Sequence, residues 1–136
     1  AVNDGRTYIL YRGTGGGSWE YPFYGIIPSA FTNGYEMPVV LSATCATLEG
    51  IGIDWTNLGT PEQPQGMVGF FGTTTSLYSA AEMRSALCRG TTASLFSDTG
   101  SLGAAAEEGR LQYYSVFNDL IDYHSWSLLG DPDMRM

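Results

Sequence analysis

An α/β fold with a mostly parallel sheet is the class that this 136-residue sequence predicts. Three short apolar runs show no alternation of polar and apolar residues, and strands of that kind are usually buried on both faces. Two stretches with helical spacing follow, and a short last strand closes the chain. Because a strand that is buried on both faces needs cover above and below, we expect helices over the sheet.

The predicted strands end in loops that reach one edge of the sheet. Turn signals separate the strands, and no internal repeat or linker interrupts the chain, so we expect one domain or part of one. In open α/β sheets ligands bind outside the carboxyl ends of the strands, so these loops are the candidate site. The first three strands cover residues 6–12, 37–43 and 66–72. The loops that follow them have the sequences GTGGGSW, TCATLEG and GTTTSLY, in that order. A fourth strand ends at Gly130-Asp131-Pro132.

Two helices are predicted in the second half of the chain. The first covers residues 80–87, and the second covers residues 102–121 with Ser101 as its N-cap. In the second helix, large apolar residues recur at helical spacing, which predicts that they form its buried face. These residues are Leu111, Tyr114, Phe117, Leu120 and Ile121.

The composition excludes several classes of function. The formal net charge is −8, and clustered Lys and Arg for a nucleic-acid backbone are absent. The chain has no lysine, which removes the P-loop lysine and Schiff-base chemistry. No apolar run reaches the length of about 18 residues that spans a membrane. We therefore expect neither a nucleic-acid partner nor a membrane span.

Cofactor sites are not predicted. The loop GTGGGS departs from the dinucleotide fingerprint, because its third glycine comes one position early and no helix start follows. One histidine and two distant cysteines do not make a structural zinc site. Calcium stays an open alternative at Asp131 and Asp133, although the spacing is not that of an EF-hand.

Cys45 is the candidate nucleophile. It follows the second apolar strand and precedes small residues that leave room for a substrate, and its backbone N–H could help to hold an oxyanion. The alternative is a small buried hydrophobic residue. Cys88 lies in a predicted helix and is interpreted as structural, although the two cysteines could form one disulfide. No spacing argument brings His124, the sole histidine, to Cys45, so it too is interpreted as structural.

The ordered motifs of this chain resemble the gingipain family of cysteine peptidases, relatives of caspases and legumain. In that family a strand ends in Gly-His-Gly before a tryptophan, as in YRGTGGGSW, and a second strand ends in the catalytic cysteine, as in MPVVLSATC. GMVGFFGTTTSLY, SLGAAAEEGR and WSLLGDP follow in the family's order. The resemblance implies a caspase-like three-layer α/β/α sandwich. It also implies that residues 1–136 form the C-terminal portion of a catalytic domain, without the family's N-terminal strands.

The resemblance assigns roles to individual residues. Cys45 takes the place of the nucleophile, and the N–H of Gly15 would join the Cys45 N–H around the oxyanion. Thr14 stands where the family has its catalytic histidine, and a hydroxyl can neither accept the thiol proton nor return one to a leaving amine near neutral pH. A wall of the primary specificity pocket would come from Thr73, Thr74, Thr75, Ser76 and Tyr78.

The function that the resemblance implies is cysteine endopeptidase activity on peptide or protein substrates, weak or absent because of Thr14. The rival interpretations are a non-catalytic relative used for binding or assembly at the cell surface, a deliberately replaced histidine, and an unrelated structural module. An N-terminal segment or a second chain would complete the sheet. The family also implies a bacterial protein that is secreted or exposed at the cell surface.

Overall fold

The structure is a computed structural model that describes residues 2–23, 28–76, 81–98 and 100–136. Its centre is a four-stranded sheet in the order β1-β2-β3-β4. The first three strands are parallel, which confirms the predicted direction, and the last is antiparallel to its neighbour. The strands are β1 (Tyr8–Gly16), β2 (Val39–Cys45), β3 (Gly69–Thr73) and β4 (Trp126–Gly130).

Two strand boundaries differ from the prediction: the end of β1 and the start of β3. β1 does not stop at Gly13 but continues to Gly16, with a shift of register between Arg12 and Gly16. Glycines at the end of a strand can stay extended when a neighbouring strand offers hydrogen bonds, and β2 does so here. β3 begins at Gly69 rather than at residue 66, because Gly66 adopts φ +101° in a turn that Asn33 holds.

Consecutive residues of the central strands face two separate cores. Leu41 and Phe71 pack in a cluster with residues of α2 (Ala81–Leu95) and α3 (Leu102–Phe117). Val40 and Phe70 pack on the opposite face, where α1 (Ile53–Thr56) contributes Trp55. Helices thus cover both faces, which confirms the three-layer sandwich. A short π-helix, Leu48–Gly52, leads into α1 within the segment that was predicted as loop and short turns.

The first predicted helix is longer than residues 80–87. It runs as α2 from Ala81 to Leu95, through Gly90 and two threonines that weaken the helical signal. Tertiary contact outweighs this propensity, because α2 and α3 approach closely at their glycines. A Cβ at Gly90 would lie 2.7 Å from Cγ of Gln112, and a Cβ at Gly109 would overlap the hydroxyl of Thr91.

For the second predicted helix, the predicted C-terminal end and the predicted buried face are both wrong. Ser101 caps α3 by accepting from the Ala104 N–H at 3.3 Å, as predicted, but the helix ends at Phe117. Asn118 takes left-handed φ of +57°, and Asp119 caps a new helix, α4 (Leu120–Ser125). The large apolar residues expected inside, Leu111, Phe117, Leu120 and Ile121, are exposed, and Tyr114 is half-buried. Leu102, Ala105, Ala106, Gly109 and Tyr113 are buried instead.

The outer edge of β1 is open in the described part of the chain, where this strand pairs with β2 alone. Every residue of β3 is buried and β2 is buried up to Cys45, but none of the β1 residues is fully buried. Leu10 is 43% exposed and lines a cavity of about 770 Å³ together with Tyr11, Phe23 and Phe31. None of the helices in the described residues is long and apolar enough to cross a membrane.

Candidate active site

The fold brings the first two predicted loops together at the carboxyl edge of the sheet. Cys45 is the last residue of β2, is half-buried, and is paired with Gly16 of β1. The N–H of Gly17 donates to the carbonyl oxygen of Cys45 at 3.4 Å. The glycine loop that was predicted from the sequence therefore lies directly against the candidate nucleophile.

The chain folds back on itself after Thr14 and is held in that shape by aromatic residues. Gly15 and Trp19 form an antiparallel bridge. The Tyr11 hydroxyl donates to the carbonyl oxygen of Thr14 at 2.7 Å and accepts from the Glu20 N–H at 3.1 Å, and its ring stacks on Trp19 at 4.5 Å. The side chain of Thr14 is exposed. Position 14 is therefore fixed through its backbone, while its side chain is open to solvent.

Two arginines tie the end of β1 to the start of α2. The guanidinium of Arg84 donates to the carbonyl oxygen of Gly13 at 2.6 Å. Arg12 donates to the carbonyl oxygen of Ala81 at 2.8 Å and to the hydroxyl of Ser85 at 2.9 Å. These contacts were not predicted, because α2 is far from β1 in the sequence and only the fold brings them together.

A glycine is required at position 15 for steric reasons. A Cβ there would overlap the carbonyl oxygen of Ser18 and would lie 3.1 Å from the hydroxyl of Thr44. That hydroxyl is buried and has no hydrogen-bond partner in the described residues. The backbone of Gly15 thus lies close above β2, beside the residue that precedes Cys45.

A chain of buried hydrogen bonds supports the site from the α1 side. The indole N–H of Trp19 donates to the hydroxyl of Ser42 at 2.8 Å, and that hydroxyl bonds to the Thr47 hydroxyl at 2.9 Å. The chain connects the loop after β1, the strand that carries Cys45 and the segment that follows it. Buried polar groups of this kind fix the relative positions of the segments they join.

The loop after β3 also lies at the carboxyl edge of the sheet. Thr73 is buried, and its hydroxyl donates to the Ser125 hydroxyl at 3.0 Å, so its side chain holds the loop to the end of α4. Thr74 and Thr75 are half-buried, Ser76 is exposed, and Tyr78 lies outside the described residues.

The residue after Cys45 has an unusual backbone conformation. Ala46 adopts φ of +51°, and its N–H donates to the carbonyl oxygen of Thr75 at 2.9 Å. A non-glycine residue in this region costs on the order of 1–3 kcal/mol, and such residues cluster at functional sites. The hydrogen bond to Thr75 joins the loop after β3 to the candidate nucleophile.

The second cysteine, Cys88, and the candidate calcium ligands Asp131 and Asp133 lie apart from this edge. Cys88 is buried in α2, where burial raises the pKa of its thiol, and it is not joined to Cys45 by a disulfide. In the described residues no group of three or more His, Cys, Asp and Glu side chains is placed to hold a metal ion. The carboxylate of Asp131 accepts from the Asp133 N–H at 2.9 Å within its own turn.

His124 lies at the same edge, which the sequence did not predict. It is an exposed residue near the end of α4, directly before Ser125, whose carbonyl oxygen accepts from the Thr74 N–H at 3.0 Å. In the sequence, the Asn118-Asp119 pair is the signal that could have indicated this place, because it ends α3 and caps α4. Because β4 is antiparallel, its start is at the edge where β2 and β3 end.

Comparison with known proteins agrees with this architecture. The profile of peptidase family C25 matches residues 1–136. The crystal structure of the Arg-specific cysteine proteinase gingipain R (RgpB) superposes with a TM-score of 0.76 at 18% identity, over 99% of this chain and 34% of that one. The complex of Porphyromonas gingivalis RgpB pro- and mature domains gives a TM-score of 0.82 at 15% identity, over 97% and 34% of the two chains. No curated protein matches the sequence.

At these identities the structural likeness shows the fold, which is that of gingipain. The chain spans about a third of the length of the two solved chains it matches.

Proposed function

Because the chain belongs to peptidase family C25, the gingipain family, we propose that it is the nucleophile-bearing portion of a cysteine endopeptidase. One observation carries this proposal. Cys45 is a half-buried thiol at the carboxyl end of a buried parallel strand, directly against a braced glycine loop. The left-handed backbone of Ala46 beside it adds support, because backbone strain of this kind clusters at active sites.

The proposed chemistry is acyl transfer through the thiolate of Cys45. The sulfur attacks the peptide carbonyl carbon, the amine leaves with a proton, and water hydrolyses the resulting thioester. The N–H groups of Gly15 and Cys45 are the proposed oxyanion donors. The half-buried or exposed part of the loop after β3, Thr74, Thr75 and Ser76, is the proposed wall for the substrate side chain, and Thr73 holds it. The family resemblance alone assigns Tyr78 to the same wall.

Thr14 sets the expected level of activity. Its hydroxyl has no basicity near neutral pH, and loss of general acid–base help costs about 10²–10⁴-fold in rate. We therefore expect slow hydrolysis by the chain as it stands, and the proposed chemistry uses no cofactor.

The proposed partner is a segment that adds strands to β1, either from the same polypeptide before residue 1 or from a second chain. The open edge of β1 and the cavity beside Leu10 and Tyr11 support it, because both expose apolar surface that a continued sheet would bury. Residues 1–136 are then the C-terminal portion of the catalytic domain. By analogy with the family we place the protein outside the cell or on its surface.

The variant Thr14→His tests the proposed function. The exposed position leaves room for an imidazole, and we expect peptide hydrolysis to rise by about 10²–10⁴-fold in protein that includes the segment pairing with β1. The double variant Thr14→His/Cys45→Ala is the control and must lose the gain. A folded, complete Thr14→His protein without hydrolysis would contradict the proposal.

A non-catalytic role in binding or assembly is the second candidate. Thr14 itself favours it, because it puts a hydroxyl that cannot act as a base near neutral pH where the family has its catalytic histidine. The two candidates differ in the Thr14→His result: a decayed site stays inactive, because other catalytic features have also been lost.

A further inference from the structure

His124 is tied to the loop that lies beside Cys45. The next residue, Ser125, accepts from the Thr74 N–H through its carbonyl oxygen and from the Thr73 hydroxyl through its own hydroxyl, both at 3.0 Å. The backbone bond extends the pairing of β3 with β4 by one position beyond the Thr73–Trp126 pair. The end of α4 is therefore fixed against the loop after β3.

The same loop is fixed against the segment that follows the nucleophile. The carbonyl oxygen of Thr75 accepts from the Ala46 N–H at 2.9 Å. One strand, β3, thus lies between the end of β2, which carries Cys45, and the end of α4, which carries His124. Two strand spacings of about 4.8 Å separate β2 from β4, so the segments that carry Cys45 and His124 lie on the order of 10 Å apart.

Cys45 and the helix that carries His124 both lie toward the side of the sheet that α2 and α3 cover. Cys45 follows Leu41 by four positions on β2 and shares its face, on which Phe71 and Trp126 also pack. Trp126 is the first residue of β4 and follows His124 by two positions. Helix α4 is bound to α3 by the Tyr113 hydroxyl, which donates to the Asp122 carboxylate at 2.5 Å.

A carboxylate lies near His124 on this side. Glu107 of α3 accepts from the Tyr123 hydroxyl and pairs with Arg110. The hydrogen bond from Tyr123 is the main cause that lowers the pKa of Glu107, and the positive charges of Arg110 and His124 add to it. Glu107 is thus ionised at neutral pH and places a negative charge beside the end of α4.

We propose that His124 is the proton acceptor for the Cys45 thiol, from the side of the site opposite to position 14. This inference rests on the proposed function, in which Cys45 is the nucleophile. A general base acts at about 2.6–3.2 Å or through one water, so at this separation the transfer passes through one water or the Thr75 hydroxyl. The thiol proton moves to a ring nitrogen of His124, and the sulfur keeps the electron pair that attacks the electrophile.

Alkylation of Cys45 by iodoacetamide tests the proposal without the partner segment. The thiolate sulfur displaces iodide, so the rate follows the fraction of thiol that has lost its proton. Every protein carries Cys88→Ala, which leaves Cys45 as the sole thiol. At about pH 6.5 we expect His124→Asn to slow alkylation by about 10-fold, and at about pH 9.5 we expect equal rates, because hydroxide then removes the proton.

Two further variants make the result specific. His124→Gln must repeat the His124→Asn result, with unchanged circular dichroism, and Thr75→Val shows whether the hydroxyl carries the proton. All variants keep the charged or titratable groups that the structure describes around this edge: Arg12 on β1, Arg84 on α2, Glu107, Arg110, Tyr113 and Tyr114 on α3, and Asp122 and Tyr123 on α4.

Superimposable pH–rate profiles for the parent and both folded His124 variants would overturn the inference. The proposed function is tested separately, because the Thr14→His gain in peptide hydrolysis does not require His124. A gain there together with unchanged alkylation in the His124 variants would reject this inference alone.

Discussion

At the scale of single residues, the glycine loop is held by a contact that leaves no space for a side chain at Gly50. The carbonyl oxygen of Gly17 accepts from the Ile51 N–H at 3.1 Å, and a Cβ at Gly50 would overlap that same oxygen. Gly17 in turn donates to Cys45. The packing at Gly50 therefore sets the position of the loop relative to the nucleophile.

The substitution Gly50→Ala is expected to destabilise the protein. The clash is with backbone, which cannot rotate away, and overpacking of this kind costs about 1–3 kcal/mol. Gly16→Ala is the matched control, because a Cβ there meets nothing within 4 Å and its φ is not in the left-handed region. Urea unfolding of both variants checks the prediction, and equal midpoints would contradict it.

The carboxylate of Glu107 gives a second residue-scale prediction. Its pKa is lowered below the ordinary 4.5, mainly by the hydrogen bond from Tyr123, so it adds stability above about pH 4.5 that is lost as the pH falls through the folded pKa. Tyr123→Phe removes that bond, so the Glu107 pKa should rise and the acid loss of stability should shrink. Carbon-13 NMR of the side-chain carboxyl measures the pKa.

Tyr114→Phe is the control for this titration. Tyr114 contacts the Tyr123 ring at 5.8 Å between centroids, and the lowering of the Glu107 pKa does not depend on it. The prediction fails if the two variants shift the Glu107 titration equally.

The site could be predicted from the sequence only where it follows strand ends. Cys45 and the glycine loop were placed correctly at one edge, because a buried parallel strand must deliver its last residue there. The braces from Tyr11 and Arg84 could not be predicted, since each depends on a tertiary contact. His124 was missed for the same reason: its place follows from the antiparallel pairing of β4, which short apolar runs do not reveal.

At the scale of elements, the break between α3 and α4 decides where His124 lies. Asn118 ends α3 in a left-handed conformation, and the Asp119 carboxylate accepts from the N–H groups of Ile121 and Asp122 at 2.8 and 3.3 Å. A helix of six residues depends on such a cap, because few of its own backbone groups are paired.

Asp119→Ala is expected to lower stability by about 1 kcal/mol and to increase hydrogen exchange of the α4 amides. Asp119→Asn is the matched control, because asparagine caps helices about as well as aspartate. Exchange measured by mass spectrometry on peptides from α4 distinguishes the two. Equal exchange in both variants would show that tertiary contacts, and not the cap, hold α4.

The elements were predicted in kind and order but not in their limits. The sequence signal for α2 weakens at Gly90, although α3 packs closely against that glycine, so a local propensity was outweighed by a contact. In α3 the buried face consists largely of small residues, while Leu111 and Ile121 are exposed. Periodicity of large apolar residues therefore indicated the wrong face.

At the scale of the whole molecule, the two sheet edges are protected differently. At the start of β4 the guanidinium of Arg110 donates to the carbonyl oxygen of Trp126 at 3.4 Å. On β1, Leu10 exposes apolar surface between two grooves, one lined with Tyr11 and the other with Cys88 of α2. An open edge of this kind is a template for pairing with another strand.

The 136-residue chain alone is therefore expected to self-associate through β1. Leu10→Lys should keep it monomeric, because a lysine on an edge strand opposes pairing, and its cost in stability should be small since Leu10 is 43% exposed. Val116→Lys makes a similar change at a residue of α3 that is 46% exposed, and should leave association unchanged. Sedimentation velocity over a concentration series measures both. Equal association of the two variants would place the contact between copies elsewhere than on β1.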